Sequence, residues 1–326
     1  MRSSRIGILV LLSLVVLSAA NCGYYNRVMA RKDLVDGSDA YKNRKFPEAE
    51  RLFRSAVARD PKGENTEGKM AQLFLARTLH SQFIGDRQNK ARAEEAINEY
   101  QKALALNPND QSSYKAIASL FENLQKTDEW LVWVTKRSQN TTIPPEQRAE
   151  ALTSLAAKKN SCANDISDTD ATKKKTTKDG KPAFEFVKPA KPEDFDTMKK
   201  CIDEGILLIN QAIELEPDRV KNAKSIDIKG MQDAELVQVQ DLLKVFESAR
   251  SYKASLLIQS MRLAEMDGRT ADRDRFKTES DAAKARFVEL SEVVKGIQKE
   301  IDDRLAAKAA EAGRNVNANA NANAAK

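Results

Sequence analysis

Histidine is nearly missing from this chain: among 326 residues only His80 carries an imidazole. No second His and no Cys is spaced to share a metal with it, and a hydrolase of the Ser-His-acid type would rest entirely on this one ring. No G-x-G-x-x-G or Walker lysine motif is present, so the loops that cradle phosphates in nucleotide enzymes are absent. The 48 Asp and Glu form many helix-spaced pairs, as that number does by chance, and they read as solvated helix faces rather than as catalytic dyads. No cofactor or catalytic residue is implied. Aromatics are only 6% of the chain, with 12 Gly and 9 Pro, too few turn residues and ring side chains for a sandwich or barrel. Charged residues reach 31%, which favours amphipathic helices, so the fold expected is all-α.

Long apolar runs are also lacking. The one run of note extends from Ile6 to Val16, about half the ~20 residues that a membrane-spanning helix needs. It follows Arg2 and Arg5 and precedes Ser18, Ala19 and Ala20, the layout of a signal peptide over 1–21. The string Leu17-Ser18-Ala19-Ala20-Asn21-Cys22 resembles a bacterial lipobox, which implies a lipid on Cys22, an exported location facing the periplasm and attachment to the outer membrane rather than the inner. Asn21 departs from the small residue that the pattern has before its Cys. Cleavage after Ala20 is the alternative. Only three Cys are present, so lipidation of Cys22 leaves Cys162 and Cys201 as an even pair, the arrangement an oxidising compartment favours; two buried free thiols are the other reading.

The formal charge of +6 suggests nucleic acid until it is located. The signal peptide carries two of the positives, and Thr169 to Pro192 holds seven Lys against Asp170, Asp179 and Glu185, a net +4. The remainder is neutral. A nucleic-acid protein needs a basic face along a folded element, so no nucleic-acid partner is expected.

Internal periodicity is the strongest signal. Ala49, Phe53 and Ala56 step by four and three onto one helical face, with Gly37 before them and Pro61 after. Small residues there admit a neighbouring helix, Phe53 fills the groove, and Pro61 stops the helix because it has no amide hydrogen. The spacing from Ala30 to Gly63 resembles a tetratricopeptide repeat (TPR), a helix pair of about 34 residues. A second unit repeats it with Ala96, Tyr100, Ala103 and Pro108 after a helix over 69–84, and a third begins with Tyr114, Ile117, Ala118 and Phe121. In the third, Trp130 and Arg137 stand where the family has small residues, so looser packing is expected; Trp130 and Trp133, a turn apart, read as core rather than as a stacking platform. A fourth unit is split between a helix over 146–159 and the Gly205, Ile209, Ala212, Pro217 series.

The resemblance implies a right-handed α-α superhelical TPR solenoid. The expected organisation is a short tether over 22–29, units one to four over 30–217 with an insertion at 161–195, a degenerate fifth pair and closing helix over 218–310, and a disordered Asn/Ala tail over 311–326. Within the insertion the Lys run reads as a solvated loop and Phe184 to Val187 as a short extended strap. Two separate helices are expected at 233–246 and 252–266. Cys162 then falls just after one helix of the fourth unit and Cys201 near the start of the other, which places a disulfide at the mouth of the insertion.

TPR arrays hold partner proteins in a groove lined by the first helix of each unit. Carrying over the family's inward positions gives Leu34, Val35, Ser38 and Tyr41, then Phe74, Arg77 and His80, then Lys115, Ser119 and Asn123. The clamp by which one subtype grips C-terminal carboxylates is missing, because Leu34, Ser38, Ser112 and Ala116 occupy its places. The function implied is a lipid-tethered scaffold for a protein partner. The alternative is an envelope enzyme or substrate-binding component with the insertion as a lid.

Overall fold

The computed structural model describes residues 23–178 and 180–324. The signal segment and Cys22 lie outside them. The chain divides into two compact units, the first ending at Trp133 and the second beginning at Val134. The division falls earlier than the 217/218 boundary expected from the sequence, because the helices flanking the insertion join the later core rather than the first three pairs.

Unit one is built from helical hairpins. Helix α1 spans 23–42, α2 Phe46–Arg59, α3 Thr66–Gly85, α4 Lys90–Leu106, α5 Gln111–Asn123 and α6 Thr127–Gln139, the last crossing into unit two. The segment 22–29, expected as a tether, is helical from residue 23. Once Ala30 and Leu34 are packed, extending the helix backwards costs little per residue, and Arg27 reaches Glu67 of α3 at 3.6 Å. The turn after α1 places Arg44 at φ 58° and the turn after α5 places Gln125 at φ 58°. Each is followed by an amide that closes back across the turn, Lys45 N–H to Ala40 O and Lys126 N–H to Phe121 O, both at 2.9 Å. The local geometry therefore repeats even though neither residue is Gly.

Gly37, Ala49, Phe53 and Ala56 pack as the repeat pattern requires, the last three fully buried; Ala76, Ala96 and Tyr100 continue the same core, and Ala103 is buried as well. In the third pair Trp130 is buried in place of a small residue. Trp133 stacks on Tyr114 at 5.5 Å and donates its indole N–H to the Tyr114 carbonyl at 3.3 Å, so both tryptophans are packing residues. Glu50 ties α2, α3 and α4 together, accepting from Arg54 at 2.9 Å, Arg92 at 3.2 Å and Gln82 at 2.9 Å.

Unit two contains α7 (Pro145–Ser167), the hairpin β1 (Lys173–Lys178) and β2 (Lys181–Phe186), α8 (Pro192–Glu214), the short α9 (Asp218–Lys221), α10 (Asp233–Met266) and α11 (Thr270–Ala324). Helix α10 packs against α7, α8 and α11, and Leu236, Leu243, Phe246 and Leu256 on it are fully buried. It is one helix where the sequence suggested two, because no Gly or Pro interrupts 233–266. The turn at Asp267-Gly268-Arg269-Thr270 is present, with Gly268 at φ 71° and Arg269 N–H closing on Ala264 O at 2.8 Å. Glu216, just past α8, is buried between Arg250 of α10 and Arg286 of α11, the latter at 3.1 Å. Helix α11 runs on through the Asn/Ala segment expected to be disordered; alternate Ala residues, the best helix formers, sustain the backbone there.

Candidate functional site

The first helices of unit one run side by side, α1 next to α3 and α3 next to α5. Tyr41 of α1 shares a hydrogen bond with Ser81 of α3 at 3.0 Å and lies edge-on to Phe74 at 6.2 Å. Arg77 lies over the Phe74 ring at 5.3 Å and donates to Ser112 of α5 at 3.0 Å. At the far end Arg87, just past α3, donates to Asn123, whose amide bonds back to Ser119 O at 2.7 Å. Arg77 thus meets the start of α5 and Arg87 its end, so α3 and α5 point the same way. One face carries residues of three successive first helices.

The candidates from the sequence divide on this face. Arg77, Lys115, Ser119 and Asn123 lie on it, with Lys115 and Asn123 exposed. Tyr41 and Phe74 are on it but half-buried, because Phe74 stacks on the buried Phe53 at 5.6 Å and Tyr41 packs on Phe46 at 5.6 Å. Leu34 is not a groove residue: it is 8% exposed and belongs to the core between α1 and its neighbours. Ser38 turns inward on its own helix, donating to Leu34 O at 2.7 Å. His80 faces α4, its Nδ1 lying 3.4 Å from the Tyr100 hydroxyl. Burial, and then the Arg87 charge, hold its pKa below the usual imidazole value, which suits a packed neutral ring. Val35 is exposed, yet its spacing of seven and eleven from Val28 and Tyr24 puts it on a separate solvent stripe of α1.

Two residues of the face escaped the sequence reading. Met70 and Ile84, 44% and 54% exposed, stand seven residues either side of Arg77 on α3. That spacing aligns all three along the helix. The family's inward positions led past them; the seven-residue step itself was the available signal.

Cys162 and Cys201 are bonded, with Cα atoms 6.2 Å apart. Cys162 lies inside α7, which continues eight residues past its expected end at 159, and Cys201 lies in the third turn of α8. The bridge therefore joins two helices, not the ends of a loop. Beyond it the Lys run is not a loop but strand β1, paired antiparallel with β2 from Lys173↔Phe186 to Lys178↔Lys181. The Asp179-Gly180 dipeptide between the strands is a strong hairpin signal, and Gly180 sits at φ 75°. Beneath the hairpin lies a polar group: Ser167 donates to Gln259 at 2.7 Å, and Arg262 donates to Asn164 at 3.2 Å and Ser167 at 3.0 Å. These bonds hold α7 to α10, and the buried Arg262 Nε is left without a hydrogen-bond partner among the described residues.

Among the described residues no cluster of three or more His, Cys, Asp or Glu is placed to hold a metal, and no helix is long and apolar enough to cross a membrane. The buried small-residue seams and parallel first helices make unit one an array of TPR-type helical hairpins within an all-α chain. No family model matches the chain and no curated protein matches it. Solved structures that align with it include pilF of Pseudomonas aeruginosa, from a functional characterisation of that protein, at 14% identity and a TM-score of 0.32 over 82% of this chain and 98% of that one; and a tetratricopeptide repeat protein from Parabacteroides merdae, at 12% identity and a TM-score of 0.33 over 82% and 99%. Superposition is loose at these scores, and the class rests on the helix packing.

Proposed function

We propose that the protein is a scaffold that holds a segment of another protein along the α1–α3–α5 face of unit one, tethered to the cell envelope by a lipid on Cys22. The observation that carries the binding reading is the Met70–Arg77–Ile84 line on α3, two exposed apolar side chains flanking a guanidinium. Lys115 adds a second cation on the neighbouring helix. The complementary segment is a helix with apolar residues about two turns apart and a carboxylate between them, the helix-in-groove mode of recognition. The signal-like segment over 1–21 and the Cys at 22 support the envelope location. The chain is already helical at residue 23, so a lipidated Cys22 would place its acyl chains one residue from helical backbone.

The test is in-cell crosslinking followed by capture, comparing the parent with Met70→Asp and Ile84→Asp. Both side chains are exposed, so the variants should keep the parent's circular dichroism, while each loses about tenfold or more in partner recovery if it is a central anchor. Unchanged recovery from folded variants moves the binding surface off this face. The tether is checked on the same material by acyl mass on the N-terminal peptide, and an unmodified N-terminus at Asn21 would refute it.

A further inference from the structure

The lysine hairpin has no part in the scaffold reading. Lys173, Lys174, Lys175, Lys178, Lys181, Lys188 and Lys191 lie on it or just after it in the chain, against only Asp170, Asp179 and Glu185 in the count, and this segment holds the whole net charge of the chain beyond residue 21. Its base is firmly mounted. Phe186 packs into the cluster around the disulfide, its N–H donates to Glu265 at 3.1 Å, Arg262 covers its ring at 4.6 Å, and Lys188 pairs with Asp267 at 2.7 Å. Lys173 pairs with Asp168 at 2.7 Å and lies over the Phe184 ring at 4.6 Å, and Lys174 donates to the Asp170 carbonyl at 2.7 Å; Lys174, Lys175, Lys181 and, at 52%, Phe184 are exposed.

We propose that this hairpin is a contact for an anionic bilayer surface. Three features select a bilayer over a protein. All seven cations are Lys and none is Arg, whereas protein interfaces are enriched in Arg and depleted in Lys. Residues alternate between the two faces of the ribbon, so Lys173 and Lys175 share one face while Lys174 and Lys181 share the other. A flat protein partner reads one face, whereas the diffuse field of a charged surface extends over a Debye length of about 8 Å and attracts charges on either face. Strand addition is opposed by Pro182, the second residue of β2, which has no N–H to donate, and by the Lys row on β1. Exposed Phe184 supplies an apolar side chain for the headgroup boundary. The contact does not depend on lipidation of Cys22.

The test uses the chain from Gly23 onwards, which contains the core residues of both units and lacks the leader and Cys22. Sedimentation is measured with vesicles of phosphatidylcholine alone and with about one third phosphatidylglycerol, at ionic strengths of about 0.05 and 0.5 M. The parent should bind only the anionic vesicles and release at high salt. At roughly fivefold per Lys, the variant Lys174→Gln/Lys175→Gln/Lys181→Gln should lose on the order of 100-fold in partitioning. Replacement of the same three by Arg should stay within a few-fold of the parent, which separates charge from folding. Equal binding to both vesicle types, no binding to either, or an unchanged triple Gln variant overturns the proposal. So does capture by polyglutamate in the absence of vesicle binding, which assigns the hairpin to an acidic protein.

Discussion

Replacing Gly37 by Ala tests the seam on which the first hairpin depends. A Cβ at Gly37 would lie 2.7 Å from Phe53 Cε1 and 2.9 Å from Cδ1, where ordinary contact begins near 3.4 Å. The ring has no retreat, since Phe53 is fully buried and stacked on Phe74. Overpacking of this kind costs about 1–3 kcal/mol, while Ala in a helix interior gains about 1 kcal/mol over Gly. The expected net is a loss of about 1 kcal/mol, or roughly 3 °C in the melting temperature. Gly296 of α11 has nothing within 4 Å of the same position, so Gly296→Ala should instead stabilise by about 0.5–1 kcal/mol. Thermal melts of the full chain by circular dichroism compare the two. Trp130 and Trp133, the only tryptophans, give a second signal confined to the last helix pair of unit one. Adding Phe53→Leu to Gly37→Ala should cost less than the sum of the two single changes, because the smaller side chain vacates the clash. A Gly37→Ala protein that melts above the parent, as Gly296→Ala is expected to do, would refute the close approach of α1 to α2.

Two further outcomes are expected. Reducing Cys162–Cys201 opens a closure of 39 residues and should remove up to about 4 kcal/mol from unit two in the chain-entropy model, lowering its melting step while the tryptophan signal of unit one stays in place. Unit one should lose stability in acid through Glu50: burial pushes its carboxyl up, but donation from Gln82 and Arg54 with the nearby Arg92 charge more than offsets this and holds it below the usual range. A depressed folded-state pKa means a contribution that is full above the unfolded value of about 4.5 and is lost as pH falls through the folded one. Melting curves from pH about 6 to 3 should therefore show a smaller decline for Glu50→Gln than for the parent, and equal declines would remove Glu50 from the explanation.

The sequence was most legible where a residue's size decides the packing. Gly37, Ala49, Phe53 and Ala56 stand out because only small side chains at those steps admit a second helix, and they are buried as the spacing requires. The pairing of Cys162 with Cys201 was legible from parity and placement. The groove was read less well. Family positions locate a helix face but not the depth of each side chain on it, so Leu34 proved to be core and His80 a partner of Tyr100, while Met70 and Ile84 were passed over. Composition misled in the insertion, where Lys and Thr suggest a solvated loop but the run pairs as a strand with 181–186 across the Asp-Gly dipeptide. Likewise two helices were expected over 233–246 and 252–266, although no Gly or Pro lies between them to end a helix.

The continuity of α10 changes how unit two responds to load. Its 34 residues make a rod of about 51 Å at 1.5 Å per residue. Near one end Arg262 and Glu265 grip the hairpin; at the other, Asp233 takes Arg304 of α11 at 3.0 Å. A chain of separate hairpins can fray at its last repeat and leave the others standing. Here a pull on the hairpin runs straight down a single strut to the opposite end, so unit two resists as one body and, once it gives way, gives way all at once.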